Sequence, residues 1–303
     1  MKELVVVSGK GGTGKTSLVA CFAALARKKV LADCDVDAAD LHLILEPVIE
    51  RDEVFKAGKK AEIIADKCTA CGHCYELCAF DAISRDGPSN SFVPATFRID
   101  PVACEGCGLC YYFCAEDAIR FEQAEAGRWF VSDTRFGPLV HARLNPGEEN
   151  SGKLVSMVRD QAHMLVKTHD LELIIIDGPP GISCPVIASI TGADLALVVT
   201  EPTLSGIHDL ERVRKLTMHF SVPTLVCINK SDINPELAER IERQAKELDM
   251  QVIARLSYDP AVTEAQIKKL SVVEFTQRPI TGQIKALWEA VRTCLEVHAG
   301  STP

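Results

Sequence analysis

The chain has no run of apolar residues long enough to cross a bilayer, and Met1-Lys2-Glu3-Leu4 leads straight into a strand pattern rather than a signal peptide. A cytoplasmic protein without a stable membrane anchor is expected. Positive charge is in deficit, with 33 Lys and Arg against 42 Asp and Glu for a net charge of −9. That balance disfavours nonspecific nucleic-acid binding, so no nucleic-acid partner is expected. Nothing marks the chain for secretion, which argues against a disulfide framework for its 13 cysteines, because the cytosol keeps thiols reduced. Metal is the better account of eight of them. At 303 residues there is room for one large domain and a small one.

Those eight cysteines form a repeat. Cys68, Cys71, Cys74 and Cys78 read CxxCxxCxxxC, and Cys104, Cys107, Cys110 and Cys114 repeat the pattern 36 positions later. The flanks repeat too, Asp81-Ala82-Ile83 answering Asp117-Ala118-Ile119. Eight thiolates at this spacing are the ligand set of two [4Fe-4S] clusters, the fourth cysteine of each run crossing to the other cluster. Zinc is the competing metal, but zinc ribbons pair CxxC units across a longer spacer. In ferredoxins of this type proline usually follows the last cysteine. Here Ala79 and Ala115 stand there, which leaves the ligands intact and the cluster surroundings less defined. His73, inside the first run, reads as a loop residue or as a hydrogen-bond donor that tunes a cluster. The region is polar and glycine-rich, with a core expected to be metal rather than side chains, so it should fold only when metallated.

Upstream, Gly9, Lys10, Gly11, Gly12, Thr13, Gly14, Lys15 and Thr16 complete a GxxxxGK[ST] phosphate loop, followed by Ser17. The apolar run at 4–7 precedes it and helical composition at 17–27 follows, as such a loop requires. Backbone amides there point at phosphates, Lys15 bridges the β and γ phosphates, and the Thr16 hydroxyl goes to Mg²⁺. A second strand begins at 30 and ends in Asp33-Cys34-Asp35-Val36-Asp37. Strands are further expected at 173–176, 195–199, 224–228 and 251–254, with helices at 153–168, 185–191, 207–219 and 235–248 between them. Such alternation means an α/β fold with a mostly parallel sheet and helices on both faces. The cysteine repeat interrupts that rhythm. Residues 1–61 and 125–303 are expected to form the nucleotide domain, with 62–124 inserted as a two-cluster α+β domain. Phe136-Gly137-Pro138 and Asn145-Pro146-Gly147 are turn signals on the way back.

Asp177-Gly178-Pro179-Pro180-Gly181 follows an apolar strand directly, which places a carboxylate beside the phosphate loop to meet Mg²⁺ or its water. A glycine-proline segment there can move when the γ-phosphate leaves. Asn229-Lys230-Ser231-Asp232 has the NKxD form that reads guanine, so these residues alone leave both ATP and GTP open. Cys21, Cys34, Cys227 and Cys294 fall on core patterns. The amphipathic segment 284–297 carries too little positive charge for a lipid surface and is expected to pack on the sheet.

The order Lys-Gly-Gly-Thr-Gly-Lys-Thr, with Lys10 as a second lysine, resembles the deviant Walker A ATPases, which include MinD and ParA proteins and the nitrogenase iron protein. Over nearly its whole length the chain is similar to MinD-superfamily ATPases with an inserted ferredoxin domain. The resemblance implies ATP with Mg²⁺, a homodimer in which Lys10 reaches the partner's phosphates, Asp35 as the water-orienting carboxylate, and Asn229 at the adenine. The neighbouring Asp33 and Asp40, like Asp35, alternatively cap the next helix. Lys10 alternatively steers anions from the surface. Cys184 lies at the offset from Asp177 that the nitrogenase iron protein uses for an interface ligand, yet with no evident second interface cysteine it reads as a packed thiol opening a helix. Three functions follow as expectations: ATP-gated electron transfer to a redox partner, assembly of a metal cofactor on a client protein, and a positioning ATPase whose clusters are structural or redox-sensing.

Overall fold

Apolar residues that fill short segments without alternation build a sheet buried on both faces. In this computed structural model, which describes residues 1–148 and 151–297, the strand β1 (Lys2–Ser8) is buried at every position after the first. The helix α1 (Lys15–Leu25) follows, opening two residues earlier than expected because Gly14 already takes a left-handed φ of 87° and stops the loop there. Next come β2 (Lys29–Asp33), α2 (Leu41–Leu45) and a long β3 (Val48–Ile63). Then follow α3 (His73–Leu77), β4 (Ile83–Ser84), β5 (Arg98–Ile99) and α4 (Leu109–Tyr112). A second long strand, β6 (Ile119–Thr134), turns through Arg135 and Phe136 into β7 (Gly137–Leu144). The remaining chain alternates α5 (Ser151–Thr168), β8 (Leu173–Pro180), α6 (Cys184–Ile190), β9 (Leu195–Thr200), α7 (Leu204–His219), β10 (Thr224–Ile228), α8 (Pro235–Glu247) and β11 (Gln251–Arg255). It closes with α9 (Ala261–Ile267), α10 (Val272–Phe275) and α11 (Pro279–Val297).

The sheet runs β11-β10-β9-β1-β8-β2-β7-β6-β3. From β11 to β7 every pairing is parallel, while the two-residue turn between β6 and β7 makes that pair antiparallel. The sheet is therefore mixed at one end and parallel elsewhere. Register fixes where function sits: Val6 lies opposite Asp177, and Asp33 lies opposite both Asp177 and His141. The carboxyl ends of β1, β2 and β8 thus finish together, the edge at which open α/β sheets bind ligands. Beneath it, α11 lays Ile284, Leu287, Trp288 and Val291 into the same core as α1, with the Trp288 ring 5.1 Å from Phe22. The terminal helix therefore packs on the sheet, as its weak basic face implied.

The chain divides into two compact units. The larger comprises Met1–Glu53, Trp129–Arg143 and Ser151–Pro303, and the smaller Val54–Arg128 with Leu144–Asn150. In the smaller unit the 36-residue repeat extends to the backbone. Ala70, Gly72 and Asp81 have positive φ of 55°, 87° and 50°, and their counterparts Gly106, Gly108 and Asp117 have 65°, 78° and 47°. α3 and α4 occupy matching places in the two copies, so His73 begins a helix rather than lying in a loop. A small core of Ala61, Ile83, Phe97, Ile99 and Ile119 takes five of the cysteines against it.

Candidate nucleotide site and thiol cavities

A cavity of about 690 Å³ opens at the carboxyl edge of the larger unit, walled by the phosphate loop from Gly11 to Ser17. Its size suits a nucleotide. Gly14 is required there twice over: its φ is left-handed, and a Cβ would stand 2.5 Å from Asn229 Nδ2. Gly9 is required by closeness alone, because a Cβ would meet the Asp209 side chain at 2.1 Å.

Lys15 is 5% exposed, with Nζ 2.9 Å from Asp177 Oδ1 and 3.6 Å from Asp35 Oδ2. Burial alone would lower the pKa of this ammonium, but Asp177 first and then Asp35 and Asp33 outweigh it and hold it above the ordinary value. Asp33 is fully buried and is pushed well above the usual carboxylate range, by burial first and by Asp177 next. Its Oδ1 accepts the Asp35 N–H and its Oδ2 the Leu41 N–H, both at 3.2 Å. Asp33 therefore fixes the loop that carries Asp35 and serves the first residue of α2, whereas the N-cap residue Asp40 makes no side-chain cap bond. Asp35, also on the cavity wall, is pushed up to about 6, chiefly by burial, with Lys15 opposing and Asp177 and Asp37 adding to the rise.

Three carboxylates around one lysine leave Asp177 Oδ2 buried without a hydrogen-bond partner, and the same holds for Thr13 Oγ1. An unpartnered buried carboxylate oxygen held against the phosphate-loop lysine is the donor that Mg²⁺ or its water takes, and Lys15 and Thr16 line the cavity. The residues present thus fit a magnesium nucleotide.

Asn229 joins the loop, donating from Nδ2 to Thr13 O at 2.8 Å. Asp232, the residue that would read guanine, instead accepts the Tyr258 N–H at 2.6 Å and is absent from the cavity wall. Lys10 does not stand free: its ammonium lies 3.5 Å from Glu201 Oε2 and 3.4 Å from Thr203 Oγ1 within the same chain. Lys230 pairs with the other Glu201 oxygen. Cys184 is exposed at the first residue of α6, which corrects its expected role as a packed thiol. Cys21, Cys34 and Cys227 are buried, as their patterns required.

Sequence reasoning missed the far wall, built from Leu256, Ser257, Tyr258, Asp259 and Gln266. Gln266 donates to Ser17 Oγ at 2.8 Å and ties α9 to the phosphate loop. The signal was available, since β11 is another parallel strand and the loop at its carboxyl end reaches the same edge.

In the smaller unit the cysteines line two further cavities. One holds Cys68, Cys71 and Cys74 with Cys114; the other holds Cys104, Cys107 and Cys110 with Cys78. Among the described residues no three or more His, Cys, Asp or Glu side chains converge as a single metal ion requires. A cubane sets a different demand, because each thiolate binds its own iron and the sulfurs stand apart around the cluster.

Strand, glycine loop, buried lysine and strand-end aspartate define a P-loop nucleoside triphosphatase. The sequence matches the CobQ/CobB/MinD/ParA nucleotide binding domain over residues 4–272. The chain belongs to that family and is an ATP-hydrolysing enzyme of the MinD superfamily. An uncharacterized protein of Methanocaldococcus jannaschii is 37% identical over 235 residues, covering 77% of this chain and 79% of its own length. A second uncharacterized protein of that organism is 25% identical over 307 residues, covering 91% and 94%. The fold is similar to that of the septum site-determining protein MinD complexed with Mg-ADP from Pyrococcus horikoshii, with a TM-score of 0.59 at 16% identity across 98% of both chains.

Proposed function

We propose that this enzyme hydrolyses MgATP as a nucleotide-bridged homodimer and couples that cycle to electron transfer through two [4Fe-4S] clusters held by the smaller unit. One observation carries the redox half: each cysteine cavity draws three thiols from one run and its fourth from the other, the crossed sharing that two-cluster ligation demands. When bound, the clusters supply one-electron carriers. For the nucleotide, Lys15 holds the β and γ phosphates, Thr16 and Asp177 hold Mg²⁺, Asp35 orients the attacking water, and Asn229 lies toward the base. Lys10 reaches the partner's phosphates after leaving Glu201. Four-thiolate sets favour a resident cluster over a cargo to be released, which argues against a cofactor-assembly factor.

The test is anoxic purification with iron and sulfide analysis, then EPR-monitored potentials with MgADP and with MgATP. About eight irons per chain and a nucleotide-dependent shift are expected. Colourless, zinc-containing protein would end the redox account. The shared fold with MinD favours a second reading, a positioning ATPase with structural clusters, and that reading expects potentials indifferent to nucleotide.

A further inference from the structure

The internal repeat makes each thiol cavity a control for the other, because residues 36 apart occupy equivalent places in two copies of one backbone. Compared in this way, the two linings differ. The cavity of Cys68, Cys71, Cys74 and Cys114 includes Thr69, His73 and Glu116. The cavity of Cys104, Cys107, Cys110 and Cys78 has Glu105, Leu109 and Phe80 at the corresponding positions. Each therefore carries one glutamate, so the carboxylate charges largely offset. What remains is polar Thr69 and His73 on one side against apolar Leu109 and Phe80 on the other, with Leu77 also lining the second cavity and Phe97 in the first standing where the second has Ala61. The fold does not impose this difference, since Leu109 and Phe80 are 43% and 44% exposed and have no packing need to be apolar.

Resting on the cluster reading above, we infer that the two clusters are electronically unequal, and that the one bound by Cys68, Cys71, Cys74 and Cys114 takes up the first electron. Reduction adds one negative charge to a cluster, with no bond made or broken and no proton moved. The Thr69 hydroxyl and the His73 imidazole are dipoles and hydrogen-bonding groups beside the first site that stabilise added negative charge, whereas Leu109 and Phe80 offer none beside the second. His73 and Leu109 are the pair that decides, because they occupy the same position at the start of α3 and α4.

The experiment is a dithionite titration of the full chain under anoxia, followed by EPR, on the wild type, His73→Leu and Leu109→His. Two reduction steps alone decide nothing, because one electron repels the next even between identical sites. The variants decide. His73→Leu should lower the higher step and leave the lower one in place, and Leu109→His should raise the lower step. Should His73→Leu fail to hold iron, the Leu109→His shift stands as an independent measurement on an exposed position. Protein with full iron whose steps ignore both substitutions, or move oppositely, overturns the inference while the cluster reading stands. Protein without iron overturns the cluster reading beneath it.

Discussion

Replacing Lys15 by Met should destabilise the nucleotide-free protein as well as abolish its activity. Nζ stands 2.9 Å from Asp177 and 3.6 Å from Asp35. At an effective dielectric of about 20 those distances correspond to gross attractions of about 6 and 5 kcal/mol. Desolvation of the buried ammonium offsets much of that sum, which is why the pair taken whole is a weak stabiliser. Removing only the cation is different, because Asp33 and Asp177 are almost completely buried and keep their desolvation cost. Breaking a buried pair in this manner costs about 3–5 kcal/mol, against a total domain stability of about 5–15 kcal/mol.

The loss should depend on pH. Asp33 and Asp35 have folded pKa values above their unfolded ones, by burial first, and losing Lys15 removes the charge that opposes that rise, so their contribution is intact below the unfolded pKa of about 4 and disappears as pH rises through the folded values. Urea unfolding followed by tryptophan fluorescence isolates the larger unit, since Trp129 and Trp288, the only two tryptophans, both lie in it. Lys15→Met should be about 3–5 kcal/mol less stable than wild type at pH 7.5, with the gap narrowing toward pH 5. A loss below about 1 kcal/mol, or a gap that ignores pH, would show that the acidic cluster does not need this counter-ion.

Asp35→Asn should lower kcat at least about 100-fold with little change in nucleotide affinity, and wild-type kcat/KM should fall as pH drops through about 6, where the half-buried Asp35 takes a proton; an unchanged kcat refutes its role. His141 is buried beside Phe130 and His42, with its pKa lowered from 6.5 to about 4, by burial first and by His42 next. The unfolded chain therefore binds a proton that the folded one refuses, and about 3 kcal/mol of stability should be lost as pH falls from 6.5 toward 4. His141→Phe should lack that part of the acid sensitivity, which paired urea midpoints at pH 7.5 and 4.5 would reveal. Glu201→Gln frees Lys10, whose partly exposed contact is worth at most about 1 kcal/mol, so the ATP concentration for half-maximal dimerisation should fall no more than about fivefold. A larger change in light scattering would make Glu201 a true latch.

The central sheet was legible because its strands are buried on both faces and therefore read as unbroken apolar runs. β3 and β6 were not. Along β3 only Phe55, Ala57 and Ala61 are buried, and the charged run from Glu50 to Glu53 looks like a solvated loop. An edge strand exposed on one face carries half the apolar signal of a central one, and its charges are the feature that keeps an edge from pairing with other chains. The smaller unit accordingly begins at Val54, ahead of the cysteine repeat that was its visible mark.

Site residues divide along a similar line. Those fixed by strands were accessible, because Asp33 closes β2 and Asn229 follows β10, while Asp177, expected to follow its strand, lies inside β8 three residues before its end and opposite Asp33; Ser257 could have been added by the same rule. Those fixed by side-chain direction were not. Nothing in the order of residues says that Glu201, just beyond β9, turns toward Lys10, or that Asp232 stays off the cavity wall and accepts the Tyr258 N–H. The thiol repeat was legible further than either: its spacing predicts both sets of four and the crossing of Cys78 to the second run and Cys114 to the first, and the two cavities group the thiols in that way. Because the same repeat sets His73 and Leu109 in equivalent places with opposite polarity, a duplication that makes two matching sites also allows them to differ.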